Sequence, residues 1–105
     1  MGDTTKINML LDFYGALLSE KQRQIVEMYY SMDMTLAEIA EDQEISRQAA
    51  HDSLTRGVAA LEDYDNALGL IEKSIKANDL ISEIQKYVGD NEKAKETLKK
   101  LETLL

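Results

Sequence analysis

The chain of 105 residues contains no cysteine, no proline and no tryptophan. Without cysteine it can form no disulfide, iron–sulfur cluster or thiolate zinc site. No apolar run approaches the roughly 20 residues with which a helix spans a bilayer. The N-terminal stretch MGDTTKINML lacks the basic start and apolar core of a signal peptide. We therefore expect a soluble protein of the cytoplasm.

The sequence also contains no recognisable set of catalytic residues. It has no glycine-rich phosphate-binding loop, and no serine stands at a suggestive spacing from the only histidine, His51. One histidine cannot assemble a metal site by itself. We therefore expect neither enzymatic activity nor a cofactor.

The net charge of −8 is unevenly distributed along the chain. Residues 1–65 contain five Lys and Arg against thirteen Asp and Glu, whereas residues 66–105 contain seven of each. Neutralisation of phosphates by Lys and Arg supplies most non-specific affinity for nucleic acid. The acidic first half therefore argues against strong autonomous binding to DNA.

Apolar residues recur at helical spacing almost throughout, and no segment has the alternation typical of a strand. Ser19, Thr35 and Ser46 are predicted N-caps, the first two in capping boxes with Gln22 and Glu38. We predict an all-α protein of five to seven helices. The apolar positions of the predicted first helix are Ile7, Leu10, Leu11, Tyr14, Leu17 and Leu18.

The sequence predicts two regions, a helical domain at 1–65 and a C-terminal helical extension at 66–105. Gly69 weakens a helix, so we expect a bend or break near 65–69. A stop and restart is predicted at 77–79, and Gly89 is a predicted helix end. The extension packs on the same domain or against a second subunit. The last helix places Ala94, Leu98, Leu101 and Leu105 on one stripe.

Residues 35–54, TLAEIAEDQEISRQAAHDSL, have the pattern of a helix-turn-helix. LAEIAED forms the first helix, in which Ala40 allows two helices to cross closely. Ile45 anchors the turn and Ser46 begins the second helix. A helix-turn-helix presents the start of its second helix to a groove of nucleic acid.

The outward face of the second helix carries the candidate nucleic-acid-binding residues. At 100° per residue, the buried stripe contains Ala50, Leu54, Gly57, Val58 and Leu61. The candidates for contacts with phosphates and bases are Arg47, Gln48, His51, Thr55 and Arg56. Each candidate also has an explanation that does not involve binding. Arg47 and Gln48 can be a solvated helix start, and His51 can be an exposed helix residue. Arg56 can pair with Asp52 at i, i+4 spacing.

Two residues depart from the usual helix-turn-helix pattern. Gln43 stands where the first helix normally ends in a large apolar residue, and Glu44 stands where the turn normally has glycine. The left-handed conformation of that position costs a non-glycine residue on the order of 1 kcal/mol. We expect a foldable but weakened motif.

The stretch LSEKQRQIVEMYYSMDMTLAEIAEDQEISRQAAHDSL resembles region four of bacterial sigma factors. The segments FYGALLSEKQRQIVEMYY, TLAEIA and ISRQAAHDSL are more similar still to the YlxM family of small helix-turn-helix proteins, densely so over about residues 7–65. This resemblance implies an all-α cytosolic bacterial protein associated with the signal recognition particle pathway.

Three functions compete on this basis. The first is a regulatory or accessory protein of the signal recognition particle pathway, which binds the particle's RNA or its proteins. The second is a sequence-specific DNA-binding transcription regulator. The third is a structural role in which the C-terminal helices form a homodimer that buries Leu98, Leu101 and Leu105. A dimer is compatible with all three.

Overall fold

In the computed structural model of the chain, residues 3–105 are described and form six α-helices. They are α1 (Thr4–Tyr14), α2 (Glu20–Tyr30), α3 (Leu36–Gln43), α4 (Arg47–Leu68), α5 (Leu70–Val88) and α6 (Glu92–Glu102). One turn of 3₁₀-helix, Gly15–Leu17, follows α1. No strand occurs between residues 3 and 105, so the all-α prediction is confirmed.

The predicted N-caps are all present, but of the two predicted capping boxes the one at Thr35 is reciprocal, whereas at Ser19 the structure shows the cap bond alone. The hydroxyl groups of Ser19 and Ser46 accept hydrogen bonds from the third backbone N–H of α2 and α4. At α3 the capping box is reciprocal: Thr35 Oγ1 accepts from the Glu38 N–H at 3.1 Å, and Glu38 Oε1 accepts from the Thr35 N–H at 3.0 Å. These bonds satisfy N–H groups that a helix start leaves without partners. The α3 start is therefore fixed locally.

Contacts among the helices divide the chain into two units, one ending at Gly69 and the other Leu70–Leu105. In the first unit, α1, α2 and α3 all pack on α4. The predicted inward stripe of α4 is buried as expected. The remaining core comes from the other three helices and includes Ile7, Leu10, Tyr14, Ile25, Val26, Tyr30 and Ile39.

The closest approach of α2 and α4 depends on Gly57. A Cβ atom at this position would lie 2.6 Å from Val26 Cγ2 and 3.2 Å from Gln22 Cγ. No real Cβ packs at 2.6 Å, so a larger residue would force the two helices apart. The glycine thereby sets the orientation of α4, which carries the candidate interface.

Two helix boundaries differ from the sequence-based prediction. The apolar stripe of the first helix was predicted to continue to Leu18, but α1 ends at Tyr14. The predicted stop at 77–79 is wrong, because α5 continues unbroken through these residues. Asn78 is accommodated by a 3.0 Å hydrogen bond from its side-chain amide to the Ser74 carbonyl. Asn and Asp cost a helix less than about 1 kcal/mol each, so they do not end one without a glycine or proline.

The break predicted near 65–69 is confirmed at Gly69, whose φ of 62° ends α4 in the left-handed conformation. Gly89, with φ of 59°, follows α5 as predicted, and Asn91 caps α6. In the second unit α5 and α6 pack together and bury Ile81 and Leu98. No helix within residues 3–105 is both long and apolar enough to cross a bilayer.

Candidate nucleic-acid interface

The turn between α3 and α4 is closed by backbone hydrogen bonds. Glu44 adopts φ 55° and ψ 44°, which confirms the predicted left-handed conformation. Its N–H donates to the Glu41 carbonyl at 3.3 Å, and the Ile45 N–H donates to the Ala40 carbonyl at 3.0 Å. This pair of bonds is the Schellman arrangement that ends many helices, usually with glycine at the left-handed residue. The turn therefore keeps helix-turn-helix geometry although its glycine is missing.

Gln43 takes the position of the missing apolar residue at the end of α3. Its side chain is half-buried, and its Nε2 lies 3.8 Å from Met28 Sδ of α2. The same Nε2 donates to Asp42 Oδ2 at 2.9 Å. The Gln43 amide nitrogen thus contacts α2, and both of its N–H groups have an acceptor. The polar replacement therefore leaves no unpaired amide donor in this half-buried position.

The structure places all five predicted site residues on the first half of α4, and each is exposed: Arg47, Gln48, His51, Thr55 and Arg56. The helix begins at the Ser46 cap, where the Ser46 hydroxyl accepts from the Ala49 N–H at 3.0 Å. The positive end of the helix dipole and the Arg47 side chain therefore occur at the same end of α4.

Asp52 organises the centre of this face. It accepts a 2.9 Å hydrogen bond from Gln48 Nε2, and its Oδ1 lies 3.8 Å from His51 Nδ1. The pairing of Arg56 with Asp52, one alternative from the sequence, does not form. The i, i+4 spacing of Gln48 and Asp52 was a signal for this bond, and the sequence reasoning missed it. Gln48 is consequently held by its own helix, and the charge of Asp52 sits between the candidate residues.

The two arginines have no carboxylate partner. Within residues 3–105 no Asp or Glu oxygen lies within the 4.0 Å ion-pair distance of Arg47 or Arg56. At 100° and 1.5 Å per residue, nine residues correspond to a rotation of about 900°, so the two side chains leave α4 in opposite directions, about 13 Å apart along the helix axis. The arginines therefore bracket the face and are free to meet phosphates.

The surroundings of the interface are acidic. Glu38, Glu41, Asp42 and Glu44 are all exposed on α3 and the turn. Hydrogen bonds from the backbone and the hydroxyl of Thr35 lower the pKa of Glu38, so its carboxylate stays charged at neutral pH. Residues 31–46 contain no Lys or Arg. Arg47 and Arg56 are therefore the positive charges that this motif offers to a phosphate backbone.

Comparison with known proteins was consistent with this geometry. The UPF0122 family, described as "Putative helix-turn-helix protein, YlxM / p13 like", matches residues 1–101. Relatives named UPF0122 protein are 38% identical over 98 residues, which is 93% of this chain and 89% of each relative. They include proteins of Bacillus thuringiensis (strain Al Hakam), Bacillus cereus (strain 03BB102) and Bacillus anthracis (strain A0248).

Proposed function

This chain belongs to the UPF0122 family of YlxM/p13-like helix-turn-helix proteins, and we propose that it is a non-enzymatic accessory protein that binds nucleic acid through the outward face of α4. One observation carries the proposal. Arg47 and Arg56 are exposed on the first half of α4 without a carboxylate within 4.0 Å in the described chain. A surface arginine is a strong ligand for phosphate when it has no competing partner.

The charge distribution limits how the protein binds. The first half of the chain has a net charge of −8, so long-range attraction to duplex DNA is weak or reversed. Two unpaired arginines supply about two phosphate contacts, far fewer than the 6–10 contacts that make many DNA-binding proteins strongly dependent on salt. We therefore propose modest affinity and a target that is recognised mainly by its shape.

The target we propose is the RNA of the signal recognition particle. The YlxM resemblance implies an association with this pathway, and recognition of folded RNA relies on shape and backbone contacts. The acidic surface around Glu41, Asp42 and Glu44 is suited to contact a basic protein in the same complex. The protein would then act as an accessory factor that touches both RNA and protein.

A sequence-specific DNA-binding regulator is the second candidate. The opposite directions of Arg47 and Arg56 around α4 favour it, because a helix in a major groove has phosphates on both sides. The bond between Gln48 and Asp52 opposes it. That bond occupies the amide that would otherwise read an adenine edge.

Fluorescence anisotropy across ionic strength tests the proposal. Particle RNA and a duplex DNA pool of equal length are titrated with the full chain between about 25 and 200 mM salt. We expect tighter binding to the RNA, with a salt dependence equivalent to about two phosphate contacts. Arg47→Ala and Arg56→Ala should each remove about one of them and cost about 1 kcal/mol.

Lys6→Ala is the matched control, because Lys6 is an exposed cation on α1 and should leave binding unchanged. Absence of binding to both nucleic acids at micromolar protein and low salt would contradict the proposal. Tighter binding to a DNA sequence enriched from genomic fragments would favour the second candidate. If the chain binds the particle's protein but not its RNA, protein binding is the function that remains.

A further inference from the structure

The second unit, Leu70–Leu105, buries little of its apolar surface. The structure describes all of its residues, and Ile81 and Leu98 are its only buried large apolar side chains. Chains of fewer than about 40 residues usually need a disulfide, a metal or oligomerisation to be stable. The unit is below this size, and the chain has no cysteine. Its two helices therefore supply only a small core, and a further apolar surface would stabilise it.

Five of the exposed apolar side chains lie along one edge of the α5–α6 pair, whereas Ile75 lies on another face of α5. On α5, Leu80, Ile84 and Tyr87 recur at spacings of four and three, so they share one stripe. On α6, Thr97 and Leu101 share a stripe in the same way. The Leu104 N–H donates to the Leu101 carbonyl at 3.1 Å, which places Leu104 one turn further along. Ile84 and Thr97 line the same open groove of about 450 Å³ between the two helices. The two stripes therefore border one continuous surface.

The other edge of the α5–α6 pair is polar. Gln85 Nε2 donates a 2.7 Å hydrogen bond to Glu102 Oε1. Gln85 and Lys95 line a second groove on this edge. The contrast between the two edges shows that the apolar one is a specific feature rather than scattered surface hydrophobicity.

We propose that the apolar face formed by Leu80, Ile84, Tyr87, Leu101 and Leu104 docks on the same face of a second copy of this chain. The paired hairpins form a four-helix bundle. The sequence had suggested a dimer that buries Leu98, but Leu98 is already buried against α5 in its own chain. In the proposed dimer, Leu80, Ile84 and Tyr87 of α5 make the contact instead of Leu98.

Charge favours a second copy as the occupant. The second unit holds seven basic and seven acidic residues, whereas the residues up to Gly69 carry a net charge of −8. Two copies that met through their acidic units would repel each other. The neutral unit can meet its own copy without net repulsion, and an isologous contact places each apolar stripe against an identical one.

The exposed area is sufficient for such a dimer. The five side chains are between 41% and 81% exposed. If the accessible surface of a large side chain is roughly 200 Å², the five side chains together expose on the order of 600 Å². Two such faces correspond to about 1,200 Å² of total buried surface, at the lower end of specific interfaces. We therefore expect a dissociation constant on the order of micromolar.

Sedimentation equilibrium of the full chain tests the dimer over protein concentrations of about 1–200 µM. We expect a monomer–dimer equilibrium and a Tm that rises with protein concentration. Ile84→Gln and Tyr87→Gln should each raise the dissociation constant at least tenfold, that is by about 1.4 kcal/mol. Both side chains are partly or largely exposed, so far-UV circular dichroism should show retained helix.

Ile75→Gln is the matched control. Ile75 lies on the same helix and is 49% exposed, against 46% for Ile84, but on another face at 100° per residue. It should leave the dimer intact. A chain that stays monomeric at all concentrations would refute the proposal, whether the face is covered by its own chain or by another protein. So would equal effects of Ile75→Gln and Ile84→Gln.

The dimer and the proposed function can fail independently. A variant with both Arg47→Ala and Arg56→Ala should lose nucleic-acid binding and remain dimeric, because both arginines lie on α4 of the first unit. Loss of the dimer in this variant would contradict the assignment of the contact to the second unit.

Discussion

The Tyr14 hydroxyl donates a 2.7 Å hydrogen bond to Asp65 Oδ1, although the two residues are 51 positions apart. This bond joins the end of α1 to the last turns of α4. The Tyr14 ring also stacks on Tyr64, with 6.2 Å between the ring centroids. The buried Tyr30 hydroxyl provides a contrast, because it has no hydrogen-bond partner within residues 3–105.

Phenylalanine substitutions at these two tyrosines should therefore have different effects. Tyr14→Phe removes a hydrogen bond to a charged acceptor and should lower the free energy of unfolding by about 1–2 kcal/mol. Tyr30→Phe removes a buried hydroxyl without a partner and should be neutral or stabilising. Urea denaturation of both variants measures the difference. Equal destabilisation would contradict the assigned roles.

Burial raises the pKa of Tyr30, with smaller contributions from Tyr29 and Glu62. In the unfolded chain Tyr30 loses its proton near its ordinary pKa of about 10, whereas the folded chain keeps the proton. Stability should therefore fall as pH rises past that value. In Tyr30→Phe the free energy of unfolding should decrease less with rising pH than in the unchanged chain. Denaturation between about pH 8 and 11 measures this difference.

Gly57 is the position where an added methyl group should be most damaging. Alanine normally stabilises a helix by about 1 kcal/mol relative to glycine, but here its Cβ would lie 2.6 Å from Val26 Cγ2. We expect Gly57→Ala to destabilise by about 1–3 kcal/mol, as for other overpacked sites. Gly15→Ala is the control, because its Cβ would lie 3.7 Å from Arg23 Cδ and Leu11 Cδ2, which is ordinary van der Waals contact. Thermal denaturation should show a lower Tm for Gly57→Ala alone.

Relief of backbone strain should make Glu44→Gly stabilising. Glu44 has φ 55°, a conformation that costs a non-glycine residue roughly 1 kcal/mol. Glycine should recover much of that cost, although it also gains freedom in the unfolded chain. Glu41→Gly, at an exposed position inside α3, should instead destabilise by about 1 kcal/mol. A destabilised Glu44→Gly would show that the strain is offset by contacts of the glutamate.

The capping box should make α3 sensitive to acid. The pKa of Glu38 is lowered by its hydrogen bonds with Thr35. The charged Glu38 carboxylate therefore stabilises the folded chain fully above the ordinary glutamate pKa. This stabilisation is lost as pH falls through the lowered pKa. Glu38→Gln can keep the hydrogen bond without the charge, so its stability should change less between pH 7 and about pH 3. An unchanged acid dependence would assign the effect to other carboxylates.

Asp52 should weaken binding to nucleic acid. Its carboxylate lies among the candidate residues and accepts the Gln48 amide. Asp52→Ala removes that charge and releases the amide, which should tighten binding at low salt about fivefold, or ~1 kcal/mol. Asp63→Ala removes an equal charge from an exposed position further along α4 and serves as the control. Equal gains for both variants would indicate a general charge effect.

Local features of the chain were readable from its sequence. The N-caps at Ser19, Thr35 and Ser46 depend on a hydroxyl and the next three residues, and all formed as expected. The left-handed Glu44 followed from its place in the motif. The exposure of the candidates Gln48, Thr55 and Arg56 followed from the period of α4, and that of Arg47 follows from its place at the helix start. A helical period of 3.6 residues and a cap are both set within a few positions of the chain.

Other features depended on packing between distant segments. The sequence did not reveal that a Cβ at Gly57 would collide with Val26, because this distance depends on how α2 crosses α4. It placed Leu98 at a dimer contact, but α5 already buries that residue. Sequence periodicity identifies which face of a helix is apolar, whereas the tertiary structure decides what covers that face and which apolar side chains remain exposed.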